Sequence, residues 1–185
     1  MGIVFRKSRK IRKLRKTKKQ TRRRCRVQRG GAARMIIKYA GDIQLAAGQM
    51  NLDMTQHYIQ GKLKTEPQLE ITGLQPRGKY LLTVTDPDAL GKTWTHWITE
   101  IIGDSNGVGT ISRQEIATYA PPSPPPGSGM HHYIFRLYEY GYDTGIPRTL
   151  VGNERGTYFI EVLEPIIKNK KILLEASYIV DSNKI

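Results

Sequence analysis

Cysteine is almost absent: the 185 residues contain only Cys25. No disulfide can therefore close within the chain, and nothing in it points to an oxidising compartment. No apolar run approaches the ~20 residues that cross a bilayer. The basic start is not followed by the apolar stretch of a secretory signal. HExxH and paired Cys/His spacings are missing, which removes the usual sequence support for a metal enzyme. Acids are also missing from one region: Met1 to Arg34 carries 16 Lys and Arg and no Asp or Glu. The rest holds 14 basic residues against all 16 acids. The net charge of +14 is thus a property of one arm.

That arm reads as residues 1–34, joined to a nearly neutral domain at 35–185. Like charges at this density repel, and Val4, Phe5, Ile11 and Leu14 are too few to build a core, so disorder in isolation is expected. Its chemistry is electrostatic. Arg12, Lys13, Arg15, Lys16, Lys18, Lys19, Arg22, Arg23, Arg24 and Arg26 are the candidate contacts to nucleic acid or another polyanion. Such binding releases counterions and depends on salt rather than sequence. The same composition would serve nuclear import. A transit peptide fits less well for want of serine, and myristoylation of Gly2 would want Ser or Thr where Arg6 stands. The expected setting is intracellular and non-secreted, cytoplasmic or nuclear. A compositional similarity to leaders of large-DNA-virus proteins adds virion association. Cys25 lies among arginines that would stabilise its thiolate.

Beyond the arm, short β-forming segments alternate with turn residues. Strands are expected at Met35–Tyr39, Gln68–Thr72, Tyr80–Thr85, Thr93–Ile102, Met130–Tyr138, Thr157–Leu163 and Ile172–Val180. Residues 44–61 read as a polar loop with some helix. The proline-rich stretch from Ala120 to Gly129 cannot be a central strand, because proline lacks the ladder donor. The fold class is mainly β, built from antiparallel sheets with few short helices.

Polar groups concentrate in Asp86-Pro87-Asp88, Trp94-Thr95-His96-Trp97 and Gly129-Met130-His131-His132-Tyr133. Strand alternation puts His131, Tyr133 and Phe135 on one face and His132 on the other, and gives Trp94, His96 and Ile98 a common face. An imidazole, a phenol and loop N–H groups would form a donor-rich cup for an anion.

These blocks carry a resemblance. Thr83-Val84-Thr85-Asp86-Pro87-Asp88-Ala89, then Thr95-His96-Trp97, then Tyr119, Pro124-Pro125, Gly127, Gly129, His131 and Tyr133-Ile134-Phe135 with Leu137-Tyr138 are similar to the phosphatidylethanolamine-binding protein family. That family includes the Raf kinase inhibitor proteins and plant flowering-time regulators. The resemblance spans about Ile36 to Val180. It implies a β-sandwich of a large antiparallel sheet and a smaller one, with an anion pocket at one end. Asp86, His96, His131 and Tyr133 would form that pocket, with Asp88 at its edge holding the loop. Its ligands would be phosphate, a phospholipid head group or a phosphorylated protein, and no cofactor is implied.

The chain departs from the family pattern at several positions. Leu90 stands where a proline is usual, and His132 replaces an arginine that braces the acidic loop. Pro121 and Ser123 replace pocket glycines; Pro121 offers no N–H, whereas Ser123 offers a hydroxyl. A tryptophan expected near Ile71 is absent, and the C-terminal helix is shortened or missing after Val180.

The leading functional reading is a non-catalytic binding or scaffold module whose phosphate affinity rises as pH falls through the histidine range. The alternative is an adaptor that acts through its arm. A third reading is a hydrolase using Asp86, His131 and Ser123, which lacks a nucleophile elbow. A metal site from Asp86, Asp88, His96 and His131 is chemically allowed. Pro121-Pro122-Ser123-Pro124 also fits PxxP spacing, and Trp94, Trp97 and Phe135 could line a lipid site.

Overall fold

A computed structural model describes residues 31–141 and 154–185. The arm expectation, including its ten candidate contacts and Cys25, lies outside these residues, except that Arg34 already opens the first strand.

Among the described residues there are nine strands: β1 (Arg34–Tyr39), β2 (Ile43–Ala46), β3 (Leu52–Asp53), β4 (Gln68–Thr72), β5 (Lys79–Asp86), β6 (Trp94–Gly103), β7 (Gly109–Ala117), β8 (Met130–Glu139) and β9 (Ile172–Asp181). Helical pieces are short: α1 (Thr55–Ile59), α2 (Arg155–Tyr158), a π turn (Phe159–Leu163), α3 (Glu164–Ile167) and a 3-10 turn (Ser182–Lys184).

The strand order is β2-β1-β4-β7-β6-β5-β8-β9-β3. Strands β2-β1-β4 form the smaller sheet, which joins the larger one through a single residue pair, Ile71 with Gly109. Every pairing is antiparallel except the short parallel contact of β3 with β9. Ile37, Leu45 and Ile71 of the smaller sheet share one buried cluster with Val84, Trp97, Phe135 and Tyr178 of the larger. A second cluster sets Leu81, Ile98 and Tyr138 against Tyr158, Leu163 and Ile167. The larger sheet is therefore covered on both sides. This explains β5, where Leu81-Leu82-Thr83-Val84-Thr85 is buried throughout instead of alternating.

The expected strand at Thr157–Leu163 is corrected to helix. Its Thr, Tyr, Phe and Val favour strands only weakly by themselves, and packing decides. The buried positions Tyr158, Leu163 and Ile167 lie five and four residues apart, a helical spacing. The π turn absorbs the five-residue step, since its hydrogen bonds run from i to i+5. The ambiguous stretch 44–61 resolves into the end of β2, β3 and α1, and β7 was not anticipated. Among the described residues β9 is followed by the 3-10 turn, Ser182–Lys184.

Candidate ligand-binding site

Strand β5 runs antiparallel to both β6 and β8, so its C-terminal end meets the N-terminal ends of its two neighbours. That topology gathers Asp86, His96, His131 and Tyr133 at one end of the larger sheet. A cavity of about 580 Å³ opens there. Asp86, His96, Pro121, Ser123, His131 and Tyr133 all line it. Asp88 does not; it holds the loop beside the cavity. Leu90, Trp94 and Gly156 contribute apolar wall, and Lys92 supplies a cation.

His96 sits in a β-bulge. Val84 pairs with Trp97 and Thr85 with Thr95, so His96 is the extra residue on β6. A bulge re-aims a side chain, which frees His96 from strict alternation. Ile98 accordingly belongs to the helix-side cluster, not to a face shared with His96. The His96 Nδ1 donates to the Ala120 carbonyl at 2.8 Å, and the Ala120 N–H donates back to the His96 carbonyl at 2.7 Å. Its ring meets Tyr133 edge-on, with centroids 5.0 Å apart. Tyr133 stacks on Tyr178 at 4.9 Å, which fixes the phenol from behind. Burial raises the Tyr133 phenol far above its ordinary range, with the Asp86 charge adding to the effect, so the hydroxyl stays protonated.

Asp86 and His131 are committed to each other. Asp86 Oδ2 lies 2.7 Å from His131 Nδ1, and Asp86 Oδ1 accepts the Asp88 N–H at 2.9 Å. Both side chains are almost fully buried. His131 Nε2 lies 2.8 Å from Ser128 Oγ. Ser128 has one proton, which it donates to the Pro125 carbonyl at 2.6 Å, a group that can only accept. His131 must therefore donate from Nε2 to Ser128. A second proton lies between His131 Nδ1 and Asp86, since two lone pairs would not approach to 2.7 Å. Whether drawn as imidazolium and carboxylate or as two neutral groups, the pair has no net charge. A carboxylate can thus line an anion site without repelling its guest.

The serine bonded to His131 is Ser128 rather than Ser123, and it is occupied in bracing the loop from Pro125 to Ser182. Gly127-Ser128-Gly129, three residues ahead of His131, was the sequence signal for it. Arg155 was also missed. Its guanidinium donates to the carbonyls of Thr95, His96 and Thr118, clamping the bulge to the exit of β7. His132 takes over the brace expected of an arginine: its Nδ1 lies 2.6 Å from Asp88 Oδ2, which also accepts the His132 N–H at 2.9 Å. Trp97 and Phe135 are core, whereas Trp94 reaches the cavity.

The far side of Pro121, Pro122 and Ser123 borders a second hollow of about 590 Å³, floored by Tyr58 and Leu63 and flanked by Lys64 and Lys184. Among the described residues no helix is long and apolar enough to cross a membrane.

Comparison with known proteins adds the following. A family model described as Phosphatidylethanolamine-binding protein matches residues 44–172. A UPF0098 protein of Mycobacterium bovis is 37% identical over 70 residues, which is 31% of this chain and 34% of that protein. The chain spans between about a third and about a half of the length of the curated relatives it matches. Among solved structures, a phosphatidylethanolamine-binding protein from Plasmodium vivax superposes with a TM-score of 0.56 at 18% identity, covering 80% of this chain and 84% of that one. A carboxypeptidase Y inhibitor, solved with its cognate proteinase, gives 0.59 at 16% identity, covering 82% and 84%. At these identities the structural matches establish the fold.

Proposed function

The chain belongs to the phosphatidylethanolamine-binding protein family, and from that membership we propose that it is a non-catalytic module whose cavity holds the phosphate-type head group of a small, partly apolar ligand. One observation carries the reading. Asp86 and His131 cancel each other's charge, while the Tyr133 hydroxyl and His96 Nε2 line the cavity with no hydrogen bond from the described residues. A cavity of about 580 Å³ with a mostly apolar wall and a few convergent polar atoms is of the kind that holds small ligands. The head group could come from a free phosphate compound, a phospholipid or a phosphorylated protein; all present the same oxygens.

Tyr133→Phe tests this. The hydroxyl makes no hydrogen bond to the described protein, so unfolding in urea should change by under about 1 kcal/mol. Inorganic phosphate should bind about 5-fold more weakly, the worth of one hydrogen bond. Unaltered phosphate affinity by calorimetry would show that the anion is not held at Tyr133.

The composition of the arm supports a second component. Sixteen cations without one acid, from Met1 to Arg34, suit a polyanion, and we infer nucleic acid as the partner. Replacing Arg22, Arg23, Arg24 and Arg26 with Gln in the full chain should reduce the slope of log K against log salt by up to about 3.6 for duplex DNA. An unchanged slope would mean that these residues touch no phosphate.

A further inference from the structure

Two buried side chains, Tyr133 and His96, bring to the cavity polar atoms without protein partners, and these are of opposite kinds. The Ser123 and Lys92 side chains that also line it belong to exposed residues. Tyr133 offers an O–H. His96 does not offer an N–H. Its Nδ1 must carry a proton, because the Ala120 carbonyl at 2.8 Å can only accept. A second proton on Nε2 would make an imidazolium, and the site opposes that. Burial lowers the His96 pKa, the Ala120 carbonyl and the Asp86 charge push back, and the charges of Arg155 and His131 lower it further. His96 is 5% exposed, so water does little to relieve a charge there. Near neutral pH the buried end of the cavity therefore presents one donor, Tyr133 Oη, and one bare lone pair, His96 Nε2.

A phosphodiester suits this pair poorly. Its two free oxygens are both acceptors, so one can meet the tyrosine, but the other faces the nitrogen lone pair and is repelled. A phosphate monoester carrying its second proton suits it well: one oxygen accepts from Tyr133 while the P–OH donates to Nε2. The second proton of a phosphomonoester leaves near pH 6, so this form is present just below neutrality. We propose that the cavity selects oxyanions that bring their own proton, namely phosphate monoesters in the monoanionic form, over phosphodiesters. The proposal rests on the phosphate-pocket reading and adds the chemical class to it.

The acid dependence follows. Asp86, His131 and Arg155 act on His96 electrostatically, Tyr133 meets its ring and Lys92 lines the same cavity. The monoester brings the proton that binding requires. Monoester affinity should fall as pH rises through about 6, as the ligand loses its proton. Diester affinity should rise only under conditions acidic enough to charge His96. The sequence-based expectation, a gain in phosphate affinity through the ordinary histidine range, is thereby reassigned from the imidazole to the ligand.

The experiment compares phosphoethanolamine, a monoester, with glycerophosphoethanolamine, a diester bearing the same amine. Both are titrated into the full chain at pH 6.5 in 0.3 M salt, which screens the arm to roughly a Debye length of 6 Å. Tyr133→Phe, expected to weaken cavity binding about 5-fold, marks which part of the binding uses the cavity. The side-chain nitrogens of His96 are followed by NMR. The expected result is monoester binding ~10-fold tighter, the cost of leaving a buried polar group badly matched, with the His96 Nε2 resonance moving and Nδ1 remaining protonated. Equal or tighter binding of the diester, with the same Nε2 response, would overturn the selectivity and leave the phosphate pocket standing. If neither compound moves His96 or Tyr133, both the selectivity and the pocket reading fall.

Discussion

Asp86→Ala should lower the unfolding free energy by about 3 kcal/mol, the low end of the range for breaking a buried pair. The loss has two sources. His131, 1% exposed at its side chain, is left with Nδ1 facing no acceptor. The Asp88 N–H also loses the carboxylate that caps its turn at 2.9 Å. Phosphate binding should disappear with it, because the start of β8 also positions Tyr133. Asp86→Asn makes the sharper comparison. Its amide can donate to Nδ1 while Nε2 continues to donate to Ser128, so the arrangement again has no net charge. Asparagine should therefore cost about 1 kcal/mol and retain most phosphate affinity. Urea unfolding with an unchanged m-value is the measurement. A loss as large for asparagine as for alanine would show that the carboxylate charge itself is required, contrary to the proton count.

Arg155→Met carries the next largest effect, about 2 kcal/mol of stability together with about a 30-fold loss of phosphate affinity. Three carbonyls, those of Thr95, His96 and Thr118, lose their donor. The His96 carbonyl keeps the Ala120 N–H, so the bulge loosens without collapsing. The affinity falls through position: His96 Nε2 is aimed by a backbone that Arg155 holds. Arg155→Lys separates charge from geometry. A lysine restores the cation but cannot fork to several carbonyls, so it should recover less than half of the binding free energy. Full recovery by lysine would show that only the charge matters.

The end of the larger sheet was legible in the sequence because the blocks at Asp86, His96 and His131 carry the family resemblance, and alternation in β8 separates His131 and Tyr133 from His132. The pairing of β5 with β8, with two strands between them in the chain, was not. Six of the seven pocket candidates line the cavity, with Asp88 outside it as loop brace. What could not be read has physical causes. The bulge at His96 arises from pairing register between strands, which no single strand encodes. Arg155 reaches the site from a segment whose β-favouring side chains pointed to a strand, and its partners are backbone carbonyls, which leave no mark in composition. His132 read as the loss of an arginine, yet an imidazole reaches Asp88 from the same place. Ser128 was in view, but a serine between two glycines is an ordinary turn residue until the proton count around His131 gives it a role.

The prolines between the two hollows have a consequence of their own. Pro121 and Pro122 have fixed φ angles and no N–H to reorganise, so the strip holds its shape whether or not a guest is present. Little conformational entropy is then lost on occupancy, and entry need not wait for a gate.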